Sequence, residues 1–317
     1  MIIYGMCSEG LASVELNSKY GFIDTGGNEV IEIKYDEVRN FSEGLAIVKI
    51  NNIWIIINEK GNKIANINKE YDEIGSFSEG LAWVKLNDKS GFIDKNGNEI
   101  IKVKYDIAGT FLEGVTCVSL NEKCGVIDKN GKEVTEIKYD ECWMNPEDKL
   151  ILVSLNEKWG VIDKNGKEII KLKYDRTSGN TGSEWYEPVF SEGLARVELN
   201  GKSGFIDRKG NEVVEIKYDS AYTFSEGVAK VKLNDKYGFI DINGNEVIEL
   251  KYDYAYEFSE GLASVELNDK YGFIDINGNE VIELKYDYAY TFSEGLVAVK
   301  LDGEWFYLDR EGNKKVL

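Results

Sequence analysis

The 317-residue chain carries 57 acidic against 38 basic side chains, a formal net charge of −19, and no histidine. That balance argues against nucleic-acid binding, whose affinity comes mainly from Lys and Arg displacing counterions from phosphates. The missing imidazole removes the commonest general base, metal ligand and triad member.

In chain order, the opening Met1 to Gly10 has neither a basic segment nor an apolar run of signal-peptide length, and no 18-residue apolar stretch follows. A cytoplasmic location without membrane insertion is therefore expected. From there the chain repeats itself. The glycine of a Ser-Glu-Gly-Leu-Ala segment recurs as Gly10, Gly44, Gly80, Gly114, Gly193, Gly227, Gly261 and Gly295, with Lys149 in that slot of a degenerate fifth copy. Val stands four residues past every origin, from Val14 to Val299, and Gly stands seventeen past it, from Gly27 to Gly312. Nine copies of about 34 residues thus fill residues 1–317 as one array.

Copy eight shows the unit. Leu262-Ala-Ser-Val-Glu-Leu267 alternates apolar and polar side chains, as a strand with one buried face does. Asn268-Asp-Lys is a polar turn, and Tyr271-Gly-Phe-Ile-Asp275 is a second strand. Asp275-Ile-Asn-Gly-Asn279 turns the chain into a third strand, Glu280-Val-Ile-Glu-Leu-Lys-Tyr286. The sequence predicts an all-β protein of nine three-stranded meanders. A lone meander cannot bury its apolar face, so the copies must stack. An open β-solenoid or superhelix fits nine short units better than the alternative, a closed β-propeller-like toroid of typically 4 to 8 blades.

Two stretches stand apart. Residues 141–190 are irregular and hold both prolines, Pro146 and Pro188, and three of the six tryptophans. The C-terminal copies, residues 227–301, are nearly identical: segments 234–261 and 268–295 differ only at Glu257 against Thr291.

The unit resembles the WG-repeat family, built from Gly-Leu-Ala-x-Val, Lys-Trp-Gly-Phe-Ile-Asp, Gly-Lys-Glu-Val-Ile and Tyr-Asp blocks. Copy five is the closest, with Lys158-Trp159-Gly160-Val161-Ile162-Asp163, Gly166-Lys167-Glu168 and Lys173-Tyr174-Asp175. The naming Trp slot reads Tyr20, Trp54, Ser90, Cys124, Trp159, Ser203, Tyr237, Tyr271 and Trp305. The resemblance covers the whole chain and implies a β-repeat architecture. It implies no particular activity and supplies no catalytic residues.

Candidate chemistry is sparse. Asp94-Lys-Asn-Gly-Asn98 and Asp241-Ile-Asn-Gly-Asn245 offer alternating oxygens, but their glycine is at position four and no Glu follows at twelve, which suits a tight turn better than calcium. The repeated carboxylates imitate a hydrolase pair, yet equivalent copies give no reason for two of them to differ in pKa. Cys7, Cys117, Cys124 and Cys142 lack CxxC spacing and are expected to be free thiols. No catalytic residue, metal or cofactor is expected.

Exposed aromatics are the remaining candidates for a binding surface. Trp185 and Tyr186 lie in a polar, glycine-rich insertion, Trp143 precedes it, and Tyr222, Tyr256 and Tyr290 recur five residues before successive origins. The residue three past each origin varies most: Ser13, Ile47, Trp83, Cys117, Leu152, Arg196, Lys230, Ser264 and Ala298. The expected function is a non-enzymatic scaffold for protein–protein binding through these variable positions, with a basic or mixed-charge partner. The alternatives are a surface or cell-wall module that binds glycan and, more remotely, an enzyme with its site in the irregular middle.

Overall fold

The computed structural model describes residues 2–3, 7–146, 149–175 and 190–315, and these contain strands and turns with no helix. The chain divides into two compact units, residues 1–156 with 161–168, and residues 157–160 with 169–317. The sheets are antiparallel, mostly of three or four strands and one of eight, and no sheet closes into a barrel among the described residues.

Copy eight again represents the set. Its three expected strands are Leu262–Leu267, Lys270–Asp275 and Glu280–Tyr286, and a two-residue strand, Tyr254–Ala255, adds a fourth at the edge. The turn after the first strand has Asn268 at φ 52° and Asp269 at φ 57°, the two left-handed residues of the hairpin turn that matches strand twist. The glycine of the second strand has a different task. In copy seven a Cβ on Gly238 would lie 2.6 Å from the Ile248 carbonyl oxygen, so its absence lets the third strand bulge across the second. Ile55 replaces that glycine in copy two; there the strands pair without a shift at that point, and the third strand shortens to Lys63–Asn66.

Neighbouring sheets share their cores. Phe239, Ile248 and Tyr252 of copy seven pack with Ala263, Val265 and Ile274 of copy eight, all buried. In the first unit Phe22, Ile31 and Tyr35 pack with Ala46, Val48 and Ile57 in the same way. Stacking is what completes each apolar layer, as the energetics of a single meander require.

The Ser-Glu-Gly motif stitches successive copies together. Ser259 Oγ donates to the Phe292 carbonyl at 2.9 Å, and the Glu260 carboxylate accepts from the Gly295 N–H at 3.0 Å. Ser8 with Phe41, Ser42 with Phe77, and Ser191 with Phe224 repeat the first bond. Glu9, Glu43, Glu79, Glu192 and Glu226 repeat the second, onto Gly44, Gly80, Gly114, Gly227 and Gly261. The Asp after the repeated Tyr caps the next hairpin: Asp253 accepts from the Asn268 N–H at 2.8 Å and from the Lys236 ammonium.

The junction after copy four departs from this scheme. Leu112 stands where the clamping Ser should be, and Lys149 stands at the next origin, where its ammonium reaches Glu113 at 2.6 Å. Thr135 replaces the Ile or Val of the third strand, and its hydroxyl accepts from the Val126 N–H at 3.0 Å. That strand breaks into isolated bridges, Cys124 with Tyr139 and Ile127 with Glu133. At this junction Cys117 and Cys142 are joined in a disulfide, Cα to Cα 6.0 Å. The expectation of four free thiols is therefore corrected: Cys7 and Cys124 are free, and stacking brings together two cysteines that 25 residues of sequence keep apart.

Candidate binding surface

The repeated carboxylates are engaged in structure. Besides the clamps, Asp241 Oδ1 accepts from the N–H groups of Asn243 and Asn245 at 2.9 and 2.8 Å, and Oδ2 accepts from the Asn245 amide at 2.8 Å. Donors crowd the oxygens a cation would need. These bonds hold the carboxyl below its ordinary 3.8, the Asn245 side chain contributing most. Turn closure accounts for the Asp-x-Asn-Gly-Asn run.

The second unit gathers its tyrosines into a continuous file. Tyr237 meets Tyr254 with ring centres 5.3 Å apart, Tyr254 meets Tyr256 at 5.1 Å, and Tyr271 meets Tyr288 at 5.2 Å. The hydroxyls of Tyr256 and Tyr288 hydrogen-bond at 2.7 Å. Burial first, and then the Tyr288 hydroxyl, push the Tyr256 phenol well above its ordinary 10.0. Most of the file is half-buried. It opens only in copy nine, where Tyr290 and Trp305 stack at 5.5 Å with planes 26° apart and are 52% and 50% exposed. Tyr307, on the same strand as Trp305, is 41% exposed, although Phe239 and Phe273, its counterparts in copies seven and eight, are fully buried.

The expected site residues thus separate. Tyr222 and Tyr256 are half-buried within the stack, and Tyr290 is exposed. Trp143 is 40% exposed on the strand Glu141–Met144 of the other unit. Trp185 and Tyr186 lie outside the described residues.

The variable position three past each origin is closed in four copies and partly open in five. Ser13, Ile47, Lys230 and Ser264 are buried, and Trp83, Cys117, Leu152, Arg196 and Ala298 are half-buried. At the four buried positions direct contact with a partner is corrected, while the other five keep part of their surface.

Lys230, one of the four buried members of this set, makes the point most plainly. Its side chain is 3% exposed; its ammonium lies 3.8 Å from the centre of the Tyr222 ring and within 6 Å of the Tyr237 and Tyr254 rings. Glu257 Oε1 completes the setting at 2.9 Å. Burial lowers the lysine pKa below 10.5, against the pull of Glu257. A signal for this was present in the sequence, because Glu257 is the residue that copy nine replaces, by Thr291.

The model of the WG containing repeat matches residues 20–54, 56–89, 91–124, 125–159, 159–182, 185–202, 204–237, 237–271 and 271–305. The chain belongs to the WG-repeat family. No curated protein matches the sequence. Among solved structures, a crystal structure of a eukaryotic initiation factor is similar at 11% identity and TM-score 0.43, covering 98% of this chain and 96% of that one. Hsv2 of Kluyveromyces lactis is similar at 9% identity and TM-score 0.34, covering 97% and 95%. Neither likeness bears on what this WG-repeat chain binds.

Proposed function

We infer that this WG-repeat chain is a non-enzymatic scaffold that binds a protein partner, and that its contact surface centres on the exposed aromatics of copy nine rather than on the inward variable positions. One observation carries the reading. Most of the recurring carboxylates already clamp copies and close turns, whereas Tyr290, Trp305 and Tyr307 keep large ring areas open. Rigid, amphipathic rings supply contact area at low entropic cost and are the common anchors of interfaces. The net charge of −19 favours a basic partner by steering its approach.

A glycan is the second reading, because stacked exposed rings also suit a sugar face. Two parallel screens decide between them, one against immobilised glycans and one by affinity capture, each run with the native chain and with Trp305→Ser. The scaffold reading expects a reproducible protein partner that Trp305→Ser loses, and no glycan hits. Glycan hits that Trp305→Ser abolishes would transfer the conclusion to the second reading.

A further inference from the structure

The clamp that joins successive copies has a forward half that goes unused in copy nine. Glu9, Glu43, Glu79, Glu192, Glu226 and Glu260 each accept from the origin-glycine N–H of the following copy. Glu113, whose following origin is Lys149, pairs with that lysine instead. Glu294 of copy nine is exposed and bonds to nothing among the described residues. The apolar layer is open on the same side. Phe239 and Phe273 set their rings 4.8 and 5.0 Å from Phe258 and Phe292 of the copies that follow. Tyr307, in the same place of copy nine, is 41% exposed, and Leu296 is half-buried where Val228 and Leu262 are each 7% exposed.

Copy one presents the receiving half. Its Glu9 and Gly10 hold φ 53° and 80°, the left-handed pair that in copy two, at φ 57° and 72°, aims the Glu43 and Gly44 N–H groups at the Glu9 carboxylate. The Gly10 N–H has no acceptor among the described residues. Gly27 is equally bare. A Cβ on Gly61, Gly278 or Gly312 would touch Ile31, Ile248 or Ile282 of the preceding copy at 3.4, 3.4 and 3.3 Å, but one on Gly27 would touch nothing within 4 Å among the described residues. Cys7 occupies the slot of Phe41, Phe258 and Phe292, and it is exposed where they are buried.

We propose that copy nine of one chain docks onto copy one of a second chain, repeating between molecules the junction that joins copies within one. Glu294 then accepts from the Glu9 and Gly10 N–H groups of the second chain, and Tyr307 lies against its Cys7. Continuity names the occupant, because a following repeat is what covers this face in copies seven and eight. The two surfaces differ, so the contact is heterologous, and chains add head to tail or close into a ring. The turn that receives Glu294 is already formed in copy one, which spares the contact an ordering cost. The proposal goes beyond the partner reading and shares with it only Tyr307. A charge of −19 opposes association of like chains, so salt strengthens this contact and weakens one with a basic partner.

Sedimentation equilibrium of the 317-residue chain across the micromolar range, at low and at high salt, reads the association. The average mass is expected to rise with concentration, and more steeply at high salt. Glu294→Ala removes an exposed side chain that the fold does not use and is expected to weaken association about ten-fold, the worth of a charge-assisted hydrogen bond. Tyr307→Cys sets a thiol beside Cys7 of the next chain. Mild oxidation of that variant is expected to give a ladder of cross-linked chains, in which mass spectrometry joins the Cys7 peptide to the peptide carrying the substitution, and adding Cys7→Ser should abolish the ladder. A chain that stays monomeric at every concentration and salt overturns the junction, as do unchanged association in Glu294→Ala and a cross-link confined within one chain. A monomeric chain that still captures a protein through Trp305 keeps the partner reading, so the two failures are distinct.

Discussion

Exchanging the Lys230–Glu257 pair of copy seven for the Ser–Thr pair of copy eight tests whether inward variation is coupled across a junction. Lys230→Ser alone removes about three buried methylenes, at most about 2.4 kcal/mol of transfer free energy, and a desolvated cation–π contact of about 2 kcal/mol. It also releases the ammonium from burial, and the net loss expected is about 2 kcal/mol. Glu257→Thr alone strips a 3% exposed cation of its counter-charge. Because Glu257 is itself 46% exposed and solvent screens the pair, that step is expected to cost only about 1 kcal/mol. In the double variant no cation remains for Glu257 to serve, so its replacement should cost nothing further. The coupling is therefore about 1 kcal/mol, above the roughly 0.5 kcal/mol within which independent sites add. Hydrogen exchange of the strands Val228–Leu233 and Tyr254–Ala255 measures the local opening that each substitution changes. The sign of a pH slope gives a second check. Burial lowers the folded pKa of Lys230 below 10.5, so the unfolded chain binds more protons in that interval and stability contributed here rises with pH toward 10.5. The slope should vanish in Lys230→Ser. Additive single effects, or an unchanged slope, would refute the coupling.

Gly238→Ala places a Cβ 2.6 Å from the Ile248 carbonyl oxygen and should cost about 3 kcal/mol by overpacking, whereas Gly227→Ala, at φ 83° with no atom within 4 Å, should cost about 1 kcal/mol of backbone strain. Equal losses in denaturant melts would contradict the bulge argument. Asp219 and Asp253 are held below 3.8, chiefly by Lys202 and Lys236. Their stabilisation is complete above 3.8 and is lost as pH falls through the lowered values, so acid unfolding followed by tryptophan fluorescence should begin below about pH 4 and shift upward in Asp253→Asn. Thiol counting checks the cysteines. The native chain should expose one fast thiol, Cys7, and denaturation without reductant should release Cys124, whose thiol burial pushes up to about 11; only reduction should release Cys117 and Cys142. Four fast thiols on denaturation without reductant would remove the disulfide.

The architecture was legible because its signals are periodic. Alternation in Leu262–Leu267, paired left-handed turn residues at Asn268 and Asp269, and Gly seventeen past each origin each dictate local geometry without help from distant parts of the chain. The short edge strand was not legible, since Tyr254–Ala255 is too brief for a pattern and pairs only because the next first strand offers a free edge. The clamps explain why Ser, Glu and Gly recur as a group: the hydroxyl and carboxylate reach the following copy, and the glycine N–H donates to the carboxylate of the preceding one. The Cys117–Cys142 bond was hidden for a similar reason, because chain distance says nothing about which positions stacking superimposes.

Variation that a surface reading assigns to recognition sits instead at the joints, and this changes what the variation can do. Most of the described copies give the next one the same clamps and a similar apolar layer, so the repeated groups do little to distinguish one of these junctions from another. With such similar interfaces, an array could pair copies out of order while folding, as repeat proteins do. A buried lysine that needs one particular glutamate, and a cysteine that needs one particular cysteine, break that degeneracy at the copy seven and copy four junctions. Buried polar pairs that fix register are the best-attested use of such costly contacts.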